Sequence, residues 1–576
     1  MSAVIRYMKP YVPYLFLVLI FVFTRVFCDL ALPNYMSDII DDGIAKGDVG
    51  YIIHVGIIML LVSLLGMAAA AANSYTASGI GANMAKRMRN DVFKKTESFS
   101  LAEFDKFSTA SLITRTTNDI VQLQNITVMF LRFIITGPIM GIGGIVLALG
   151  KSPSMSWIIA LGVIVILGVV AVMFAITTPR FKLIQKLVDK LNLVSREGLT
   201  GVMVIRAFKN QPLWQKRFDD ANTSLTSNNL FVNRVMSFMH PTMMLIMNVI
   251  TIVIVYVGAH YIDIGALHVG DMMAFIQYAT QIMNSFLMMS MMFIQLPHAL
   301  VSANRVKEVL DTEPAIRDLP SPKSFDESKK GTVEFRNVSF SYPEADEAAL
   351  KDISFTAPAG KTTAIIGSTG SGKSTLINLI LRFYDVTKGA IFVDGADVRE
   401  VKQSELRARI GYVPQKGVLF SGTVRSNMQY ADENASQQDI ISACETAQAK
   451  DFVGAKEDGY DSIISQGGTN VSGGQRQRLS IARALVKKCG IYIFDDSFSA
   501  LDFKTDAALR HALGEKMKGA TLIIVAQRIN TIMNADRIVV MDSGRIVGVG
   551  THRELLNNCE VYRQIAYTQL SEEELA

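Results

Sequence analysis

The chain has 576 residues and a mass of 63.3 kDa, more than one hydrophobic core organises, since single cores stop growing near ~250–300 residues. Half of it is hydrophobic and 19% is charged, below the usual charged share of about 25%. Residues 1–310 hold 25 Lys and Arg against 17 Asp and Glu (net +8) and the remainder 32 against 35 (net −3), which excludes a wholly soluble protein, a disordered chain and a disulfide scaffold.

The short basic start (Arg6, Lys9) leads into an apolar run from Tyr11 to Pro33. That run is too long for a signal-peptide core and lacks a small-x-small cleavage pattern, so it reads as a retained membrane helix. Further apolar stretches at 51–75, 127–150, 155–178, 237–262 and 271–295 bring the expected spans to six. Each is long enough for a ~30 Å hydrocarbon core. The connections at 34–50, 151–154 and 263–270 are brief. Those at 76–126 and 179–236 are long, basic and patterned as helix, suiting helical hairpins that project beyond the lipid. The short loop 34–50 carries four Asp against a single Lys46. Positive-inside reasoning therefore puts both termini, the long loops and the soluble half in the cytoplasm.

Within the spans, Arg25 and Asp29 are four apart and suited to pairing on one helical face. Arg132, Asn248, Gln277, Gln281 and Asn284 are expected to face the bundle interior, as packing or substrate contacts. Gly137 and Gly141 form a GxxxG pair suited to close helix contact. Twelve of the 28 methionines lie between Met236 and Met292. Such thioethers serve a plain core or lipid-facing stripe, or a surface accepting varied apolar partners.

Residues 311–330 are rich in Pro, Ser and charge, as a linker is, and separate a membrane domain (1–310) from a soluble domain (331–576). In the latter, β-branched runs such as TTAIIG, IYIFDD and TLIIVA alternate with helical segments, giving an α/β fold with a largely parallel sheet. Four scattered cysteines and seven histidines form no metal or CxxC spacing. The run Thr362–Ile366 leads into Gly367, Ser368, Thr369, Gly370, Ser371, Gly372, Lys373 and Ser374, followed by Thr375 and an apolar helix. This is GxxxxGK[ST] between strand and helix, where backbone N–H groups wrap phosphates at a helix N-terminus. Lys373 would reach the β/γ-phosphates and Ser374 would bind Mg²⁺. Asp495, ending the strand Ile491–Phe494, is placed as the second Mg²⁺ group.

Between these elements stands Val471-Ser472-Gly473-Gly474-Gln475. The order P-loop, Gln415, VSGGQ, Asp495 and SALD (Ser499–Asp502), after six spans, resembles an ATP-binding cassette (ABC) half-transporter of the exporter type. The resemblance implies a polytopic α-helical membrane domain fused to an α/β P-loop domain, with ATP and Mg²⁺ as cofactors. It implies that Tyr342 stacks on adenine and that Gln415 touches Mg²⁺ and senses the membrane domain. Ser472, Gly473, Gly474 and Gln475 would belong to the signature that meets the γ-phosphate held by the opposite subunit. Segments 109–120 and 204–211 resemble the two coupling-helix regions.

Two departures stand out. The family's general base is Glu after the Walker B Asp; here Asp496 occupies that place, one methylene shorter. The family's switch His is here Gln527, which hydrogen-bonds but cannot become cationic. Gln466 also stands where Glu is common. Binding should survive while hydrolysis fails at this chain's own P-loop, and its intact signature would complete a partner's site. The expected assembly is a heterodimer with a half-transporter carrying Glu and His, in a bacterial-type plasma membrane, without nucleic acid. Its expected activity is export of amphipathic, drug-like compounds, with a peptide or lipid exporter and a nucleotide-gated regulator or channel as alternatives.

Overall fold

A computed structural model describes residues 2–343 and 345–570; the side chains of residues 2, 3, 290–295, 297 and 298 lie outside the description. The chain divides into two compact units. One comprises residues up to Glu97 and Thr109–Thr312, the other Ser98–Ser108 and Glu313 onward.

The first unit is all helix. Five helical stretches, Val4–Ile44, Val49–Glu97, Thr109–Lys151, Pro153–Thr200 and Gln211–Asp263, are long and apolar enough to cross a membrane. The sixth expected span falls on the helix Val269–Asp311; its Met291 and Met292 side chains lie outside the described residues. The long basic connections are helical, as their patterning predicts. They are continuations of the membrane helices, so Val49–Glu97 alone runs 49 residues, about 73 Å at 1.5 Å per residue.

Small residues set the helix contacts. A Cβ on Gly137 would lie 3.0 Å from Met289 Cγ, and one on Gly141 would lie 2.9 Å from Ser285 Oγ. The GxxxG pair is therefore a close helix crossing, where small side chains admit a neighbouring backbone. Arg25 Nε pairs with Asp29 Oδ2 at 3.5 Å, and the Gln281 amide donates to the Asp29 carbonyl at 2.9 Å. Of the residues expected to face the interior, Asn248, Gln277 and Asn284 are exposed on this chain. The faces that carry them are not covered by the chain's own helices.

The second unit contains a six-stranded sheet ordered Arg545–Gly550, Arg537–Asp542, Thr362–Gly367, Thr521–Val525, Ile491–Asp495 and Ile410–Val413. All neighbours run parallel except the first pair. These strands are near-continuous apolar runs, as sheets covered on both faces require. A second, antiparallel sheet is built around Val333–Phe340.

The short helix Leu101–Phe107 groups with this unit. Its Asp105 carboxylate accepts the Tyr384 hydroxyl at 2.8 Å, and Glu103 Oε1 accepts the Ala315 amide at 3.1 Å. Burial and the Asp105 charge push the Tyr384 phenol up from its ordinary value. The segment tied to the soluble unit is thus 98–108, and the motif at 109–120, expected to do this, begins the next long helix instead.

Candidate nucleotide-binding site

Parallel register brings four loops to the carboxyl edge of the large sheet, where ligands of open α/β sheets bind. Val525 pairs with both Ile365 and Asp495, and Val413 pairs with Phe494. Gln415 therefore emerges opposite Asp496, with Gln527 on the far side and the loop after Gly367 beyond it.

The loop Gly367–Ser374 turns at two left-handed glycines, Gly370 (φ 84°) and Gly372 (φ 97°), before the helix Lys373–Ile380. A Cβ on Gly367 would sit 2.1 Å from the Met541 carbonyl oxygen, so the loop starts where only hydrogen fits. Gly367→Ala is expected to cost about 1–3 kcal/mol of overpacking strain and to abolish the stabilisation that ATP confers. Thermal unfolding of the full chain with and without ATP reads both effects; an unchanged ATP-dependent rise in Tm would refute it.

Lys373 is 8% exposed. Its Nζ donates to the carbonyls of Gly367 at 2.8 Å and Ser368 at 2.6 Å, with Ser371 Oγ at 3.3 Å. Burial lowers its pKa, while Asp496 and Asp495 oppose that shift. The ammonium is thus held inside the cradle it would share with phosphate oxygens. Ser374 Oγ donates to Asp495 Oδ1 at 3.2 Å. One hydroxyl beside one carboxylate is the oxygen donor set of Mg²⁺, which keeps waters and substrate phosphates as its remaining ligands. No group of three or more metal-binding side chains occurs among the described residues. Tyr342 is half-buried; its hydroxyl bonds Thr375 Oγ1 at 2.9 Å, and Phe340 and Tyr384 meet it in T-shaped contacts at 4.9 and 5.3 Å.

Asp496 is 7% exposed and left-handed (φ 47°). One oxygen, Oδ2, accepts the side-chain amides of Gln527 at 2.9 Å and Gln415 at 3.3 Å. An ionised carboxylate only accepts, so both amides present nitrogen. Burial raises the pKa of Asp496, and hydrogen bonding from Gln415 opposes the shift. Asp495 is likewise raised by burial, with Asp496 adding to the rise.

Ser472 caps the helix Gly473–Val486, accepting the Gln475 N–H at 3.2 Å while Gln475 Oε1 accepts the Ser472 N–H at 3.1 Å. Among the described residues, no hydrogen bond joins 472–475 to the phosphate loop or to Asp495. One connection escaped the sequence reading. Gln477 Oε1 accepts the Gly417 N–H at 2.9 Å and its amide reaches the Pro414 carbonyl at 3.3 Å, tying the signature helix to the loop that holds Gln415. Its spacing five residues after Ser472 carries no local signal.

Residues 15–286 match the model of the ABC transporter transmembrane region, and residues 350–499 match that of the ABC transporter. An uncharacterized ABC transporter ATP-binding protein of Mycobacterium tuberculosis (strain ATCC 25618 / H37Rv) is 39% identical, over 98% of this chain and 97% of its own length. The chain belongs to the ABC transporter family. The uncharacterized ABC transporter ATP-binding protein YfiB of Bacillus subtilis (strain 168) is 36% identical over 100% of this chain and 99% of that protein. The ATP-dependent lipid A-core flippase of Escherichia coli (strain K12) is 30% identical over 94% and 93%. A solved bacterial Atm1-family ABC exporter with ATP bound superposes with a TM-score of 0.81 at 25% identity, covering 98% of each chain. This ABC transporter is therefore a multi-pass membrane protein of the exporter type whose cassette binds ATP. In such a cassette Ser374 and Asp495 would hold Mg²⁺, which neutralises phosphate charge when bound.

Proposed function

We propose that this chain is the degenerate-site half of a heterodimeric ABC exporter. The single observation carrying this reading is the Asp496 carboxylate, one of whose oxygens accepts both the Gln527 and Gln415 amides. A general base must reach the attacking water at ~2.6–3.2 Å; this one is short by a methylene and engaged on the side facing the switch and Gln415 loops. Gln527 offers a neutral amide where a cation would stabilise phosphate charge. The phosphate loop keeps its glycines, Lys373 and Ser374, which supports nucleotide binding without turnover. Two copies of such a site would make a poor engine, so the partner is a second half-transporter with Glu and His at the two positions. The signature 472–475 of this chain completes the partner's site.

The six expected spans, the basic long loops and the acidic loop 34–50 support a plasma-membrane protein with termini and cassette in the cytoplasm. The substrate is an amphipathic, drug-like compound taken from the membrane. A lipid substrate is the second reading, favoured by the flippase among the relatives. The deciding experiment is expression of this chain alone and with its partner half. Only the pair is expected to show substrate-stimulated ATPase; robust turnover by the purified single chain would sink the heterodimer.

A further inference from the structure

Four side chains in the six expected spans carry fixed charge: Arg25, Asp29, Arg132 and Asp271. Arg25 pairs with Asp29, and Asp271 Oδ1 accepts Lys151 Nζ at 2.7 Å. Arg132 alone has no carboxylate within ion-pair distance among the described residues; its recorded neighbour is the Phe133 ring, 5.3 Å from the guanidinium carbon. An unpaired charge at membrane depth is costly, and where it persists it marks a substrate or ion path.

Its surroundings fit a ligand. Arg132 lines a cleft of about 410 Å³ with Ser78, Gln124, Asn125, Met129 and Phe133, within the usual range for small-molecule sites. One part of the wall offers hydroxyl and amide groups, the other apolar and polarizable surface. The helix also changes pitch here. Phe130–Ile134 forms a π-helical turn, a feature found mostly at functional sites because it re-aims side chains. The adjacent Gly81 is a contact point, where a Cβ would lie 2.5 Å from Val128, so the two helices forming the cleft are held at fixed separation.

We infer that this cleft receives the anionic headgroup of an amphipathic substrate, with Arg132 as its counter-charge and Gln124, Asn125 and Ser78 as hydrogen-bonding partners. The inference rests on the exporter reading and narrows its substrate class to amphiphiles bearing a carboxylate or phosphate. Arg is suited to both, since its planar fork meets either oxyanion bidentately. The Met129 and Phe133 side of the cleft takes the start of the apolar tail.

The test uses the full-length chain in phosphatidylcholine nanodiscs without nucleotide, both alone and with its partner half. Three fluorescent probes share one acyl tail and carry a carboxylate, a phosphoglycerol or a trimethylammonium head. The wild-type protein is expected to bind at least one anionic probe about tenfold or more tighter than the cationic one, the effect of one well-placed counter-charge. Preference for the carboxylate identifies a solute headgroup, and preference for the phosphoglycerol a lipid headgroup; both support the assignment. Arg132→Gln should erase the preference and Arg132→Lys should keep most of it. Equal wild-type affinity for anionic and cationic probes would overturn the inference, and that comparison needs no variant to fold. An equal loss for all three probes in Arg132→Gln would also overturn it, making Arg132 a packing contact for the partner's helices. Because binding is read without hydrolysis, a fully active homodimer would defeat the heterodimer proposal and leave this result standing.

Discussion

Gly473→Asp in this chain is expected to lower ATP turnover by the assembled pair about 10²-fold or more, the scale of losing preorganised transition-state stabilisation. Asp496→Asn should leave the same turnover within about two-fold, although removing a working general base costs 10²–10⁴-fold. The contrast follows from the division of labour between the two halves of the cassette. A side chain on Gly473 meets nothing within 4 Å in this chain, and an acid in the first turn of a helix is favourable to that helix. The variant cassette therefore folds, and its new carboxylate repels the γ-phosphate that the signature would otherwise meet across the dimer. Asp496→Asn keeps a carbonyl oxygen to accept the Gln527 amide and removes only a charge that burial already disfavours. Steady-state ATPase of the purified pair checks both arms. A large loss from Asp496→Asn would mean that this site hydrolyses after all.

How much of this was legible in the sequence depends on how local each feature is. The phosphate loop is one uninterrupted segment whose glycines, Lys373 and Ser374 announce the fold they need. Its strand and helix follow from the apolar runs on either side. Asp496 and Gln527 were readable as chemical departures, but their meeting was not. It depends on the order in which Ile410–Val413, Ile491–Asp495 and Thr521–Val525 pair, a long-range fact that no short segment encodes. In the membrane unit the apolar lengths marked the helices, whereas what Asn248, Gln277 and Asn284 meet was not readable from them. Helices that are apolar all round give little rotational contrast, so a polar residue does not reveal which neighbour it meets. The misplaced connection at 98–108 has another cause. A seven-residue helix, Leu101–Phe107, is too short for periodicity to separate it from the longer helices on either side.

Restoring both altered residues should convert the binding site into a hydrolytic one. Asp496→Glu with Gln527→His is expected to raise turnover at this chain's own P-loop about tenfold or more, part of the 10²–10⁴-fold that a positioned base contributes. The longer side chain extends the carboxylate past the position where Gln527 and Gln415 hold it. The histidine can donate to phosphate while its backbone stays anchored, because the Gln569 amide donates to the residue 527 carbonyl at 2.8 Å and Gln569 Oε1 accepts the Ile529 N–H at 2.8 Å. The gain has a ceiling. Position 496 is left-handed (φ 47°), a conformation that Asp adopts more readily than Glu and that costs a longer side chain roughly 1–2 kcal/mol. Burial also raises the carboxyl pKa at this position, and a base works only when deprotonated. The new activity should therefore rise with pH as the raised carboxylate ionises, with its half-maximum above the usual Glu range. ATPase of the pair with the partner's site inactivated isolates this signal. Turnover no higher than with wild-type Asp496 and Gln527 would show that something other than these two residues keeps the site silent.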